Sequence, residues 1–386
     1  MKIITGAPSN FFKTLRLIYR IERDNISYSE LIESLYGETP PENHNFLRYD
    51  YTPYIKNVVR FGFDKKNTLL FSVIIPTYSR RDLLLKTINA VARQKNISLD
   101  KFELVIVDNG SKDETKEVVK NFADQNEQIN IIYIKLKRNY GADFARNVAV
   151  LNSRGNFLAF TDDDCIVPDN WLIEFKKELE ADPEIAGVGG FKIPRSTRKH
   201  LDIYHRFLMW RHFLSPHVRT KELSLLRNRC GLTANVCYRR DIFEKAGGFN
   251  LYFKHFGFEE FKIHLHKLGL VLLYEPKMVE HFAYFPFSAH VLKLFAQGWD
   301  WHLRHILYPN SWTNPSFLFF FKRTIRNIRI VLTSKEQPPL YTKSFTDMVI
   351  FSLLSIITNF SLWFGKYWIP LKMISDPRFA SHDTSF

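Results

Sequence analysis

Asp162, Asp163 and Asp164 stand in an unbroken row directly after the apolar run Phe157-Leu158-Ala159-Phe160. Like charges packed at the end of a buried segment repel one another, and a cation or a ring of donors must compensate, which is the condition a divalent-ion site meets. The competing reading is a helix N-cap with solvated neighbours, since Pro168 stands where the first turn of a helix carrying Trp171 and Phe175 would begin. A further acid, Asp108, follows the apolar run Glu103 to Val107 and opens Asp108-Asn109-Gly110-Ser111, either a ligand carboxylate at a strand end or ordinary turn chemistry.

The elements that must position these acids repeat. Phe71 to Tyr78 reads as a buried strand stopped by proline, followed by a helix from about Arg81 to Arg93 with Leu84, Ile88 and Val91 inward. Glu103 to Val107 is a second strand, leading to a helix with Val118, Val119 and Phe122. Ile131 to Leu136 is a third, and Lys137-Arg138-Asn139-Tyr140-Gly141 connects it to a helix with Phe144, Val148 and Leu151. The fourth delivers the Asp row. Strands alternating with helices at this spacing predict an α/β, doubly wound, mostly parallel sheet with ligands at the carboxyl ends of its strands, so Asp108 and the Asp row share one rim.

The turn after the first strand, Pro76-Thr77-Tyr78-Ser79-Arg80, is neither a Gly-x-Gly-x-x-Gly turn nor a P-loop. A nucleotide site without a glycine cradle must neutralise a diphosphate by other means, for which a metal ion serves.

Several segments, in order, resemble the successive signatures of family-two glycosyltransferases: Ser72 to Tyr78, Val107 to Ser111, Gly141-Ala142-Asp143-Phe144-Ala145-Arg146-Asn147 and Phe160 to Asp164, then Thr233 to Arg240 and Gly247 to Asn250. The resemblance covers roughly residues 70 to 300 and implies a GT-A fold and an inverting, metal-dependent transfer from a nucleotide sugar, with UDP-sugars the expected donors. By that resemblance Pro76, Thr77, Tyr78 and Asp108 hold base and ribose, with Asn139, Arg146, Asp162 and Asp163 completing the nucleotide-sugar site; a surface ion pair is the other role open to Arg146. Asp162 and Asp164 form the DxD pair, and His281, which follows an expected strand at Val271 to Tyr274 and a loop at Glu275-Pro276-Lys277, completes the shell of a Mn²⁺ or Mg²⁺ ion, an imidazole suiting Mn²⁺ better. An ordinary structural role for His281 stands beside this.

The reaction also needs a base for the acceptor hydroxyl. Glu259 and Glu260 are its candidates, since Phe256-Gly257-Phe258-Glu259-Glu260 resembles the start of the family's acidic helix. The family pattern is a Glu-Asp pair, a spacer and another acid. Lys262 falls where the later acid would be, whereas alignment on Gly269 puts Glu260 at the second acid and leaves no Glu-Asp pair. Helix N-terminal acids favoured by the macrodipole are the bland alternative.

Composition bounds the remainder. With 45% hydrophobic and 24% charged residues the chain is that of a folded protein. Cys165, Cys230 and Cys237 have no metal-ligand spacing and leave an odd thiol, which fits a reducing compartment, and residues 1–25 show no uninterrupted apolar h-region of a signal peptide. Short helices are expected at Leu15 to Ile21 and Tyr28 to Tyr36, with a break at Thr39-Pro40-Pro41. Net charge is +14, and no acid occurs between Asp300 and Glu336. Lys322, Arg326 and Arg329 share one helical face beside Phe321, Ile325, Ile328 and Leu332, a basic amphipathic pattern that suits an anionic membrane surface; no nucleic-acid module accompanies it. Met348 to Phe364 is uncharged and would reach about 25 Å as a helix, short of a bilayer core of about 30 Å, so an interfacial or protein-packed helix is favoured over a span.

The expected organisation is an N-terminal extension over residues 1–68, a GT-A domain over 69–300 (nucleotide-sugar half 69–165, acceptor half 166–300), and a helical, basic and aromatic C-terminal region over 301–386. The expected function is a glycosyltransferase, moving a hexosyl or N-acetylhexosaminyl group to a lipid-linked or polysaccharide acceptor at the cytoplasmic membrane face. The alternative is a catalytically silent nucleotide- or glycan-binding protein on the same scaffold.

Overall fold

The structure, a computed structural model, describes residues 27–36, 39–41, 45–62, 68–194, 206–207, 222–224, 233–253, 255, 257–281, 287–308, 317–333 and 345–375. Cys230 and the helix expected at Leu15 to Ile21 lie outside them.

In chain order the elements are α1 (Tyr28–Tyr36), β1 (Ile55–Phe61), β2 (Phe71–Thr77), α2 (Arg81–Ala92), β3 (Phe102–Asp108), α3 (Thr115–Gln125), β4 (Asn130–Leu136), α4 (Ala142–Leu151), β5 (Phe157–Phe160), β6 (Cys165–Ile166), α5 (Trp171–Ala181), β7 (Ile185–Pro194), β8 (Glu222–Ser224), β9 (Val236–Arg239), α6 (Arg240–Lys245), α7 (Gly257–Lys267), β10 (Val271–His281), α8 (Phe287–Leu307), α9 (Phe317–Thr333) and α10 (Phe345–Ser375). They build one sheet in the order β1-β4-β3-β2-β5-β9-β7-β10-β6, with β8 also paired to β10.

The inner strands β4, β3, β2 and β5 are parallel, as the βα alternation requires. Their residues are buried on both faces, which accounts for near-continuous apolar runs in place of alternation. Along β2 the period of two sends Ile74 into one core and Val73 and Ile75 into the other, and β3 does the same with Val105 and Val107 against Leu104 and Ile106. The outer half is mixed: β9 runs antiparallel to both β5 and β7, whereas β7 and β10 are parallel.

Three departures from the sequence expectation bear on the site. Val271 to His281 is one strand whose register shifts between Tyr274 and Met278, so Glu275-Pro276-Lys277 is an irregularity inside β10 and not a loop after it. Helix α5 starts at Trp171, three residues beyond Pro168, whose carbonyl accepts from the Trp171 N–H at 3.0 Å. The N-terminal extension is partly core: Leu31, Ile32, Phe46 and Tyr51 pack with the β2–β5 side of the sheet, and β1 extends that sheet antiparallel to β4.

The expected boundary near residue 300 falls inside α8, whose Trp299 and Leu303 share the core of the sheet. Helix α10 packs on α8 with almost no side-chain spacing. A Cβ on Gly298 would lie 1.9 Å from the Leu362 carbonyl oxygen, and one on Gly365 2.0 Å from that of Phe295.

Candidate active site

Strand order reverses at β2: the chain proceeds outward through β3 and β4, then returns to place β5 on the other side of β2. Such a reversal opens a crevice at the carboxyl ends of the strands. Register decides what meets there. Ile74 pairs with Phe160, and three residues further on Thr77 Oγ1 donates to Asp163 Oδ2 at 2.7 Å. Thr77 in turn pairs with Asp108 of β3.

Asp108 is fully buried. Its Oδ1 accepts from the Ser111 N–H at 2.6 Å, its Oδ2 accepts from the Tyr133 hydroxyl at 2.5 Å, and the Lys135 ammonium stands 3.3 Å away. The turn-forming role of Asp108 is therefore present, along with a charge partner. Gly110 in that turn has φ +86°, and a Cβ there would lie 2.5 Å from Arg138 Cα, so only glycine lets the loops after β3 and β4 touch. Asn139, expected at the nucleotide, is spent within this contact: its Oδ1 accepts from Asn109 Nδ2 at 2.8 Å and from the Gly141 N–H at 3.0 Å. Pro76 is buried and Tyr78 half-buried beside the same crevice.

The Asp row is shared out among cations. Arg146, 8% exposed, donates from Nη2 to Asp162 Oδ1 and from Nη1 to Asp143 Oδ1, each at 2.7 Å. Burial disfavours its charge, but Asp162 and Asp143 outweigh that and hold the guanidinium protonated. Arg80 reaches Asp164 Oδ2 at 2.8 Å and Asp163 Oδ1 at 3.3 Å. Burial pushes the Asp163 carboxyl up to about 7, against the opposing pull of Arg80.

His281 arrives from the far side of the sheet. It pairs with Cys165 in the antiparallel β10–β6 ladder, which sets its Nε2 3.1 Å from Asp164 Oδ1. Asp162, Asp164, Cys165 and His281 each offer a ligand atom, all within 4.8 Å of one another. Two carboxylates, an imidazole and a thiol gathered this closely fit a divalent transition ion. Sequence reasoning brought three of these four together and passed over Cys165; its adjacency to the Asp row was the available signal.

The segment Thr233 to Arg240 joins the same rim. Thr161 Oγ1 donates to the Ala234 carbonyl at 3.1 Å, and Asn235 Oδ1 accepts from Trp171 Nε1 at 2.8 Å, fixing the start of β9 beside β5.

Glu259 and Glu260 lie in the first turn of α7, as expected, but both are engaged. Glu260 is 1% exposed; its Oε1 accepts from the Tyr308 hydroxyl at 2.8 Å and stands 3.1 Å from His264 Nε2. Glu259 pairs with Lys262 at 3.0 Å and Arg304 at 3.6 Å. Asp143, Arg80 and Tyr308 were not singled out from sequence, although Asp143 and Arg146 have the i, i+3 spacing at which helical ion pairs form.

The chain is 32% identical over 187 residues to the glycosyltransferase AglE of Haloferax volcanii, covering 47% of this chain and 57% of that one. It is 35% identical over 112 residues to the putative teichuronic acid biosynthesis glycosyltransferase TuaG of Bacillus subtilis, covering 29% and 41%. The chain thus spans about half the length of these curated relatives. Among solved structures, the mannosyltransferase PcManGT of Pyrobaculum calidifontis, in complex with GDP-Man and Mn²⁺, aligns over 92% of this chain and 82% of its own, at 18% identity and a TM-score of 0.46. Residues 72–247, which run from β2 through β9 and α6 and hold every residue of the Asp row, match the family model for glycosyl transferase family 2 over just under half of the chain.

Proposed function

We propose that the protein is a metal-dependent, inverting glycosyltransferase that takes a sugar from a nucleotide sugar, with UDP-sugars the expected donors, and passes it to a glycan or lipid-linked acceptor at a membrane surface. The observation that carries the reading is the convergence of Thr77, Arg80, Arg146, the Asp row and His281 on one rim at the strand-order reversal. Asp162, Asp164 and His281 would hold the ion, Mn²⁺ or Mg²⁺, with Cys165 adjacent. When bound, such an ion neutralises charge on a departing nucleoside diphosphate. Arg146 and Arg80 orient the carboxylates and offer cationic donors to phosphate oxygens, while the loops after β2 and β3 frame the base and ribose.

The membrane part of the reading rests on α10, which among the described residues is the one helix long and apolar enough to cross a bilayer, over Thr346–Gly365. Its polarity is inverted. Asp347, Ser355, Thr358, Asn359 and Ser361 are buried against the protein, whereas Val349, Leu353, Ile356, Ile357 and Phe360 face outward. A water-facing helix would show the opposite pattern. Helix α9 adds Phe317, Leu318, Phe321 and Ile325 to the exposed apolar surface, with Lys322, Arg326 and Arg329 also exposed. The apolar span of α10 is 20 residues, about 30 Å of helix, so length no longer argues against insertion.

The paired state of Glu259 and Glu260 favours a second reading, a silent binder of nucleotide sugars. Incubating the protein with Mn²⁺, liposomes and a panel of nucleotide sugars separates the two. A transferase releases nucleoside diphosphate from at least one donor; a silent binder retains every donor intact, and that outcome would sink the first reading.

A further inference from the structure

Helix α7 begins on a residue without a side chain. A Cβ built on Gly257 would stand 2.1 Å from Asp143 Oδ2 and 3.0 Å from its Cγ. The carboxylate of Asp143 therefore fills the space that a side chain at the head of α7 would take. With Glu260 as the second acid counted back from Gly269, the missing acidic pair falls on Gly257 and Phe258. An acid is present at that place, but α4 supplies it.

The remaining geometry favours Asp143 over the α7 glutamates. Glu260 is 1% exposed behind Tyr308 and His264, so an acceptor hydroxyl has no path to it without local opening. Glu259 keeps 22% of its side chain accessible but is held between two cations of its own side of the site, Lys262 at 3.0 Å and Arg304 at 3.6 Å, with no link to the Asp row. Asp143 keeps 12% of its side chain accessible and lies one guanidinium away from Asp162, with Arg146 between them. Burial raises its affinity for a proton despite the Arg146 charge, in the direction a base working near neutrality requires.

We propose that Asp143 is the general base of the transfer reaction, receiving the acceptor's hydroxyl proton at the head of α7. The proposal rests on the glycosyl-transfer reading given above. In the step, the acceptor oxygen forms a bond to the anomeric carbon as its proton passes to a carboxylate oxygen of Asp143. The bond from the anomeric carbon to the diphosphate oxygen breaks, and its electron pair leaves with the nucleoside diphosphate. Asp143 becomes neutral and the added negative charge departs on the diphosphate, so charge and protons balance. Arg146 positions the base relative to the donor, because one guanidinium holds both Asp143 and Asp162.

The test compares a hydroxyl acceptor with azide, an anion that attacks without surrendering a proton. Asp143→Asn is expected to lower kcat toward the hydroxyl acceptor about 100-fold or more. Transfer to azide, and the dissociation constant of nucleoside diphosphate with Mn²⁺, should stay within about threefold of the parent, on the ground that neither involves proton removal. The double variant Asp143→Ala with Gly257→Asp returns a carboxylate to the same space from α7 and should recover about tenfold or more over Asp143→Ala alone. Parent-like turnover of Asp143→Asn overturns the proposal, and so does a parallel loss of azide transfer and donor binding, which would mark a structural ion pair. A parent protein that transfers to neither acceptor from any nucleotide sugar overturns the transferase reading and the base assignment with it.

Discussion

Arg146 Nη2 donates to Asp162 Oδ1 at 2.7 Å, tying the helix after β4 to the acidic row after β5 across the strand-order reversal. Because the same guanidinium bonds Asp143, its planar fork spans two carboxylates that a single ammonium point charge would not bridge.

Arg146→Ala should therefore strand two carboxylates and lower unfolding free energy by about 3 kcal/mol, the low end for breaking a buried pair. Arg146→Lys should recover only part of this. Denaturant titration reads both, and two parent-like midpoints would show that the acids are compensated without Arg146.

Asp164→Asn keeps the volume of a residue that sits beyond the end of β5 and 2% exposed, so the fold should persist by circular dichroism. Mn²⁺-dependent binding of a nucleoside diphosphate should weaken about 100-fold or more, since loss of even outer-shell partners of a metal costs 10- to 100-fold. Undiminished calorimetric binding in this variant, or parent turnover in excess chelator, would remove the metal from the reaction.

The pair of His264 and Glu260 should make stability depend on pH. Burial opposes the charged imidazole, but Glu260 at 3.1 Å and the Ala246 carbonyl at 3.1 Å outweigh it, so the folded pKa is raised above the ordinary 6.5. The contribution is complete below about pH 6.5 and is lost as pH rises through the raised folded value. The stability gap between the parent and His264→Gln should thus shrink as pH rises above 6.5 through the raised folded value; a constant gap would mean that the imidazole never charges.

For the membrane surface, Leu353→Lys with Phe360→Lys puts charge in the middle of the exposed face of α10 and should release the protein from liposomes. Reversing Lys322, Arg326 and Arg329 to Glu should weaken binding to anionic vesicles only, by about 1 kcal/mol per neutralised charge and less at high salt. Co-sedimentation of both variants at the parent level would make the outward apolar face a protein contact.

The acids at strand ends were legible because each closes an apolar run, and the end of such a run is a fixed place in a parallel sheet. Register carried Thr77 to Asp163 with no tertiary knowledge beyond the strand order. Asp143 was not legible, since a helix's first turn favours acids for local reasons, and only the empty place at Gly257 marks it out. The role of residues 45–61 was hidden for a different reason. Phe46 and Tyr51 enter the core from the starts of single 3₁₀ turns, which are too short to show a periodicity. At α10 the uncharged stretch is shorter than the helix that contains it, so sequence length alone did not show the helix's extent.

The contact of Gly298 and Gly365 with the facing backbones makes α8 and α10 a single stiff member. At its site end α8 holds the segment before α7, through Asp300 Oδ2 accepting from the His255 N–H at 2.6 Å, and Tyr308 just past its last turn donates to Glu260. A lever of this kind has no slack. If α10 lies in a bilayer and the acceptor enters at the head of α7, as proposed, a tilt of α10 is passed through α8 to that entry, and the geometry of acceptor entry and the lipid environment of the helix become mechanically one variable. Bulk introduced at Gly298 or Gly365 would lengthen the gap between the members and loosen that linkage without touching any residue of the rim.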